Sequence, residues 1–269
     1  MPELPEVEAV TRKLRRQAVD ARIVEASILR RRITLPDAPE QVEAALQNRR
    51  ITAIERRAKN ILLRLDDGAA VHVHLRMTGN LYVVPDWRLR AHPLSAWMRF
   101  DDGRALVFED PRGLGTLRLL DAAGCNELEE SSGVEPLSRG FTLQCFTRLA
   151  KSSRLPAKLF LMDQRRVAGL GNIYAAEALY QARIDPRRPI CEVSPAKLAG
   201  LHASIVRVLR DAVKSACIAY SRPGGFRAAE EYAPAVYDRE GQPCLRCRRK
   251  VVRIQQGGRS TYYCPGCQR

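Results

Sequence analysis

No apolar run in this chain is long enough to cross a bilayer, and no lipidation signal accompanies it, so membrane anchoring is not expected. No signal-peptide pattern opens the chain, which makes a reducing cytosol the expected setting and disulfides unexpected. No internal repeat or low-complexity tract appears, so a repeat architecture is not indicated. Acidic residues are in short supply: 30 Asp and Glu stand against 45 Lys and Arg, a net charge of +15. Arg30-Arg31-Arg32, Arg49-Arg50, Arg56-Arg57 and Arg246 to Lys250 concentrate that excess. One such run marks only a solvated face. The excess over the whole chain favours phosphate backbones, which bind cations by releasing counterions.

What is present at the start is unusual. Met1 precedes Pro-Glu-Leu-Pro-Glu-Val-Glu. Methionine is readily trimmed before a small residue, and trimming would leave Pro2 as a free secondary amine beside Glu3. A terminal amine titrates at about 7.7–8.0, against about 10.4 for lysine, so far more of it is unprotonated near neutrality. Attack on a carbon centre would give a cationic iminium, the chemistry otherwise assigned to a lysine Schiff base. The same residues also read as a helix start. Pro5 suits the first turn, Glu6 and Glu8 suit the positive end of the dipole, and Val7, Val10 and Leu14 share one face. Both readings can hold together. An uncleaved Met1 would abolish the nucleophile.

The far end carries two C-x2-C pairs, Cys244/Cys247 and Cys264/Cys267. Four thiolates at this spacing close a tetrahedral zinc site with no open position, hence a structural one; the alternatives are two disulfides, which a reducing setting disfavours, or four idle thiols. Lys250 to Ile254 and Ser260 to Tyr263 read as strands around a Gly257-Gly258 turn, giving a metal-stapled hairpin. Cys125, Cys145, Cys191 and Cys217 lack ligand spacing and read as ordinary cysteines.

Between the ends, short strand-like runs (61 to 65, 71 to 75, 81 to 84, 105 to 108) alternate with turn signals such as Asp66-Asp67-Gly68 and Asp101-Asp102-Gly103. This predicts an antiparallel sandwich. The small, acidic stretch from Asn126 to Ser138 reads as a linker. Helical periodicity follows from Thr142 to about Ala219, with Ile205, Leu209, Ala212 and Val213 on one face. The predicted class is α+β and multidomain. The boundaries are 1–124 for a β-sandwich with flanking helices, 125–138 for the linker, 139–231 for a helical domain and 232–269 for the zinc finger.

Taken in order, the opening motif, Arg56-Arg-Ala-Lys59, His74-Leu-Arg-Met-Thr-Gly79, Asp110-Pro-Arg112, Leu161-Met-Asp163, Gly169-Leu-Gly-Asn-Ile-Tyr174 and the four cysteines resemble formamidopyrimidine-DNA glycosylase nearly end to end. The resemblance implies a DNA repair enzyme that excises oxidised bases from double-stranded DNA and cleaves abasic sites. It implies a helix–two-turn–helix module between the sandwich and the finger, one structural zinc, and a cytoplasmic bacterial setting; a monomer is the default. Pro2 would attack the sugar C1′ and Glu3 would assist ring opening, with Glu6 in support. Lys59, otherwise one surface cation among many, would donate a proton, and Arg259 at the hairpin turn would reach phosphates and serve the second elimination. Asn172 would contact phosphate at a glycine-rich helix start, a place suited to anions.

Base chemistry in a duplex requires extrusion, and the gap must be filled. Met77 and Arg112 match two gap-filling positions, although unaided reading makes Met77 core and Arg112 a turn cation. Leu114 stands where the pattern has phenylalanine, and Gly113 replaces a second arginine. His92 and Arg154 match DNA contacts by position. After Ser215 the chain departs: Ala216 to Tyr237 is shorter than the segment that caps 8-oxoguanine in the family. Formamidopyrimidines and hydantoins become the expected lesions, with 8-oxoguanine a further candidate. Two alternatives stand beside this reading. An endonuclease VIII-like enzyme for oxidised pyrimidines usually starts Pro-Glu-Gly-Pro-Glu. A non-catalytic zinc-finger DNA-binding protein has no use for a proline amine.

Overall fold

The computed structural model describes residues 2–89, 93–221 and 232–269. Chain contacts divide it into two compact units, Met1–Glu130 with Ala219–Phe226, and Ser131–Ile218 with Arg227–Arg269.

The first unit opens with α1 (Leu4–Ala18). Leu4, Val7, Val10 and Leu14 are all fully buried, the face the spacing predicts; each such side chain contributes about 1.5–3 kcal/mol. Eight strands follow: β1 (Ile23–Ile28), β2 (Ile51–Arg57), β3 (Asn60–Leu65), β4 (Ala70–His74), β5 (Asn80–Val84), β6 (Leu94–Phe100), β7 (Ala105–Glu109) and β8 (Thr116–Leu120). They form two antiparallel four-stranded sheets, ordered β1-β6-β7-β5 and β2-β3-β4-β8. α1 packs on β2, β3 and β5, strands drawn from both sheets. A short helix α2 (Pro39–Leu46) covers β1.

A third helix, α3 (Ala122–Ser131), lies across the first half of the expected linker. The acidic, small composition of the segment suggests a linker. Cys125 and Leu128, three residues apart, nevertheless pack on Leu62 and Ala70. Glu129 points to Arg57, whose Nε lies 2.7 Å from its carboxylate. An exposed acidic face over a narrow apolar stripe makes the stretch an amphipathic helix, and the two compact units divide at its end, between Glu130 and Ser131.

The second unit holds α4 (Leu143–Lys151), α5 (Ala157–Met162), α6 (Asn172–Gln181), α7 (Pro195–Ser221) as far as Ile218, and the hairpin β9 (Val252–Gln256) and β10 (Arg259–Tyr263). Its core includes Phe146, Phe160, Tyr174, Leu179, Leu198 and Ile205. One buried carboxylate organises the entry to the finger. Glu177 on α6 accepts the backbone N–H groups of Ala235, Val236 and Tyr237 at 2.8–2.9 Å. Burial pushes its pKa up against those three bonds.

Candidate active site

Chemistry in the first unit begins where α1 begins. Pro2 is partly exposed and Glu3 is buried at the N-cap. The Glu3 backbone N–H donates to Glu6 Oε2 at 2.7 Å, so the Glu6 carboxylate closes the helix start. One turn on, Glu8 accepts from Arg12 Nε at 2.7 Å and from Arg56 Nε at 2.8 Å. Burial alone would push the Glu8 carboxyl up, but the bonds from Arg12 and Arg56 outweigh it and the net shift is downward. Arg56 also donates from Nη1 to the carbonyl of Ala58 at 3.0 Å. The helix that follows Pro2 and Glu3 is thereby tied to the turn that presents Lys59.

That turn is tight. Arg57 pairs with Asn60, leaving a two-residue loop of Ala58 and Lys59. Ala58 has φ +54, a left-handed backbone that costs an L-residue roughly 1–2 kcal/mol. Asn60 holds it closed. Its Nδ2 donates to the Arg57 carbonyl at 3.1 Å, and its Oδ1 accepts from His72 Nε2 at 2.8 Å. His74, on the next strand, faces Asn60 in the register. Its Nδ1 accepts the N–H of Arg76 at 3.0 Å, which leaves the proton of the neutral ring on Nε2 as a donor.

Both imidazoles are held neutral. Burial, then the charges of Arg118 and Arg76, lowers His72 to about 4. Burial, then Arg76, His72 and Lys59, lowers His74 to about 4. An unfolded histidine titrates near 6.5. Between pH about 6.5 and 4 the unfolded chain therefore takes up protons that the folded chain refuses, and stability falls as pH falls. From pH 7 to pH 5 each ring is expected to remove about 1–2 kcal/mol. Urea unfolding at the two pH values measures it. His72→Gln should flatten the dependence by about half; an unchanged slope would show that these rings are not its source.

The gap-filling candidates sit on two crossovers. Residues 75–79 carry the chain from β4 to β5, and residues 110–115 from β7 to β8. β4 pairs with β8, starting at His74 with Thr116, and β5 pairs with β7, starting at Asn80 with Glu109. The register therefore lays the two crossovers side by side. Asp110, fully buried, joins them: Thr78 Oγ1 donates to Oδ1 at 2.5 Å and the Gly115 N–H to Oδ2 at 2.6 Å. Phe108 lies beneath, touching the places where Gly79 and Gly115 would carry side chains. Met77 is 42% exposed. It is a projecting side chain, not the core residue an unaided reading makes it. Arg112 is exposed and Leu114 partly so.

Gly113 has φ +62, and a Cβ there would stand 2.6 Å from Nη1 of Arg30. Arg30 also donates to the Asp110 carbonyl at 3.0 Å. The positive φ at Gly113 is a left-handed backbone that strains any side chain-bearing residue, and a side chain there would also displace the Arg30 guanidinium. His92 lies outside the described residues, as do residues 222–231 of the shortened segment.

In the second unit, Gly257 and Gly258 both have positive φ and close a two-residue turn between Gln256 and Arg259. Arg259 projects into solvent at the start of β10. The strand is fixed from below. Lys158, fully buried on α5, donates to the Ser260 carbonyl at 3.0 Å and to Thr261 Oγ1 at 2.6 Å. Asn172 Nδ2 donates to the same Ser260 carbonyl at 3.0 Å. One of the two N–H bonds of Asn172 thus goes to the hairpin that presents Arg259. The glycine turn before α6 is braced by Gln164, which accepts from the Gly169 N–H and donates to the Leu170 carbonyl. Arg154 is exposed.

Cys244, Cys247, Cys264 and Cys267 bring their sulfurs within 4.8 Å of one another. The Cys244–Cys267 and Cys247–Cys264 separations are 3.8 and 3.4 Å. Tetrahedral zinc with Zn–S near 2.3 Å places sulfurs about 3.8 Å apart. The four residues fit one structural zinc ion.

Residues 1–117 match the formamidopyrimidine-DNA glycosylase N-terminal domain, 132–221 its H2TH domain, and 241–269 the zinc finger found in FPG and IleRS. The chain belongs to the formamidopyrimidine-DNA glycosylase family. Curated members from Roseiflexus sp. and Xanthomonas oryzae are 41% and 40% identical, with all of each chain covered. The Lactococcus lactis enzyme bound to DNA with an abasic site is 30% identical with a TM-score of 0.87. The same enzyme with FAPY-dG-containing DNA is 31% identical with a TM-score of 0.88; 99% of both chains is covered in each case.

Family membership makes the two anchors that sequence reading missed more telling. Lys158 carries no motif signal, because a lysine in an apolar stretch reads as a surface residue. His74 lies within the His74-to-Gly79 motif, and the nearby cations Arg76 and Lys59 are the sequence signal of its role.

Proposed function

We propose that this chain is a bifunctional DNA glycosylase and abasic-site lyase of base excision repair, working through Pro2 in the cytoplasm of a bacterium. The observation that carries the reading is the Pro2-Glu3 pair just before α1, a proline that removal of Met1 would leave terminal, beside a buried carboxylate. The positive end of the helix disfavours an ammonium there, which suits a neutral attacking amine. With Met1 removed, the amine bonds to the sugar C1′ as the bond to the damaged base breaks. Glu3 supplies the proton on which the sugar ring opens. The resulting iminium acidifies the adjacent sugar C–H; loss of that proton expels the 3′ phosphate, and a second elimination expels the 5′ phosphate. Lys59 serves as a proton donor near the lesion, and Arg259 clamps phosphate with a fork of donors. Met77, Arg112 and Leu114 fill the gap left by the extruded nucleotide. Asn172, Arg154 and the Nε2–H of His74 contact the DNA backbone.

The substrate is duplex DNA carrying oxidised bases or abasic sites; the Lactococcus complexes hold DNA that contains an abasic site or FAPY-dG. The shortened segment after Ser215 favours lesions that open easily, so formamidopyrimidines and hydantoins should be processed faster than 8-oxoguanine opposite cytosine.

Sodium borohydride trapping on duplexes carrying a formamidopyrimidine, a hydantoin, 8-oxoguanine, an oxidised pyrimidine or an abasic site tests this. One covalent adduct should form, with mass mapping to Pro2, and Pro2→Gly should abolish it. An adduct on a lysine that survives Pro2→Gly would overturn the assignment. A strong preference for the oxidised pyrimidine would move the chain to the endonuclease VIII-like branch.

A further inference from the structure

The zinc site has a neighbour that its four ligands do not explain. Tyr180, in the last turn of α6, is buried with 2% exposure among Ala176, Val236, Val251 and Tyr262. A hydroxyl in such a cluster is costly unless it finds a partner. The partner is Cys244 Sγ, at 3.4 Å. A zinc-bound cysteine is a thiolate and has no proton to give, so the tyrosine must donate. The backbone N–H of Arg246 reaches the same sulfur at 3.4 Å.

Arg246 completes the arrangement from the other side. Its guanidinium lies 4.2 Å from the centroid of the Tyr180 ring. Its Nη1 donates to the Tyr180 carbonyl at 2.6 Å and its Nη2 to Gln181 Oε1 at 2.9 Å. A cation on the last carbonyls of a helix is favourable in itself. The loop that binds the metal is therefore docked on the C-terminal end of α6. The N-terminal end of the same helix holds the hairpin through Asn172 and Ser260.

We propose that Tyr180 is a positioning residue of the finger. Its hydroxyl donates to the metal-bound sulfur of Cys244, tying metal retention to the helical module and steadying the hairpin that presents Arg259. Partners of metal ligands typically change metal affinity about 10–100-fold when removed. A structural role through ring packing alone would be preserved by phenylalanine, whereas a role through the hydroxyl would not.

Tyr180→Phe in the full-length holoprotein is the test. Zinc release to a chromogenic chelator should accelerate about tenfold, at the low end of that range, with circular dichroism unchanged. In the cobalt-substituted protein the sulfur-to-metal charge-transfer band should move to lower energy, because the thiolate has lost a donor. A more acidic fluorotyrosine placed at 180 should shift the band the opposite way, and this keeps the test valid if the phenylalanine variant fails to fold. Arg246→Gln, which spares the hydroxyl, should move the band less than Tyr180→Phe. Release at the wild-type rate with an unshifted band in Tyr180→Phe, or no shift with fluorotyrosine, would overturn the proposal.

Discussion

Glu3→Gln is expected to separate two activities that wild-type protein performs together. Base excision should fall by about 10²–10⁴-fold, the range for a positioned acid or base. Cleavage at a preformed abasic site should fall much less, because that sugar already spends part of its time ring-opened. The substitution is nearly isosteric at a position only 1% exposed, the Glu3 N–H still donates to Glu6, and an amide oxygen can accept the Glu6 N–H of the capping box in place of the carboxylate, so the helix start survives. Single-turnover rates on a lesion duplex and an abasic duplex measure the split. Equal losses on both would remove Glu3 from ring opening. Glu6→Ala makes the contrast. It deletes a helix-start acceptor and should cost about 1 kcal/mol of stability, with a far smaller change in the ratio of the two activities than Glu3→Gln.

The legible and illegible parts of this chain divide by the range of the interactions. The zinc ligands, the Gly257-Gly258 turn and the α1 face were readable because each depends on residues a few positions apart. Strands 60–65, 70–74, 80–84 and 105–109 stood where alternation and turn residues placed them, within a residue at either end. What pairing adds was not readable. Nothing in Thr78 announces a bond to a residue 32 positions away, and the register that aligns the two crossovers exists only once both sheets form. Lys158 was hidden for the same reason: its acceptors, Ser260 and Thr261, lie about a hundred residues further on. The helix over Ala122–Ser131 is hidden by its acidic, small composition; its packing on Leu62 and Ala70 comes from Cys125 and Leu128.

Asp110→Ala is expected to release both crossovers at once. It strands the Thr78 hydroxyl and the N–H of buried Gly115, and each unmet buried donor costs about 1–3 kcal/mol. A total near 2–5 kcal/mol should appear as a lowered urea midpoint. Thr78→Val removes one of the two bonds and should fall between wild type and Asp110→Ala. The functional loss should follow the same order and be confined to duplex substrates. If Met77, Arg112 and Leu114 fill the gap behind an extruded base, loosening the loops that carry them raises the work of extrusion and leaves the chemistry of Pro2 intact. Excision from a paired duplex should therefore drop steeply in Asp110→Ala, while cleavage of an abasic site in single-stranded DNA stays near wild type. Assays run below the unfolding midpoint of each variant keep the two effects apart. A destabilised variant with undiminished duplex excision would show that the Asp110 bonds serve folding alone, and that the crossovers need not be rigid to open the duplex.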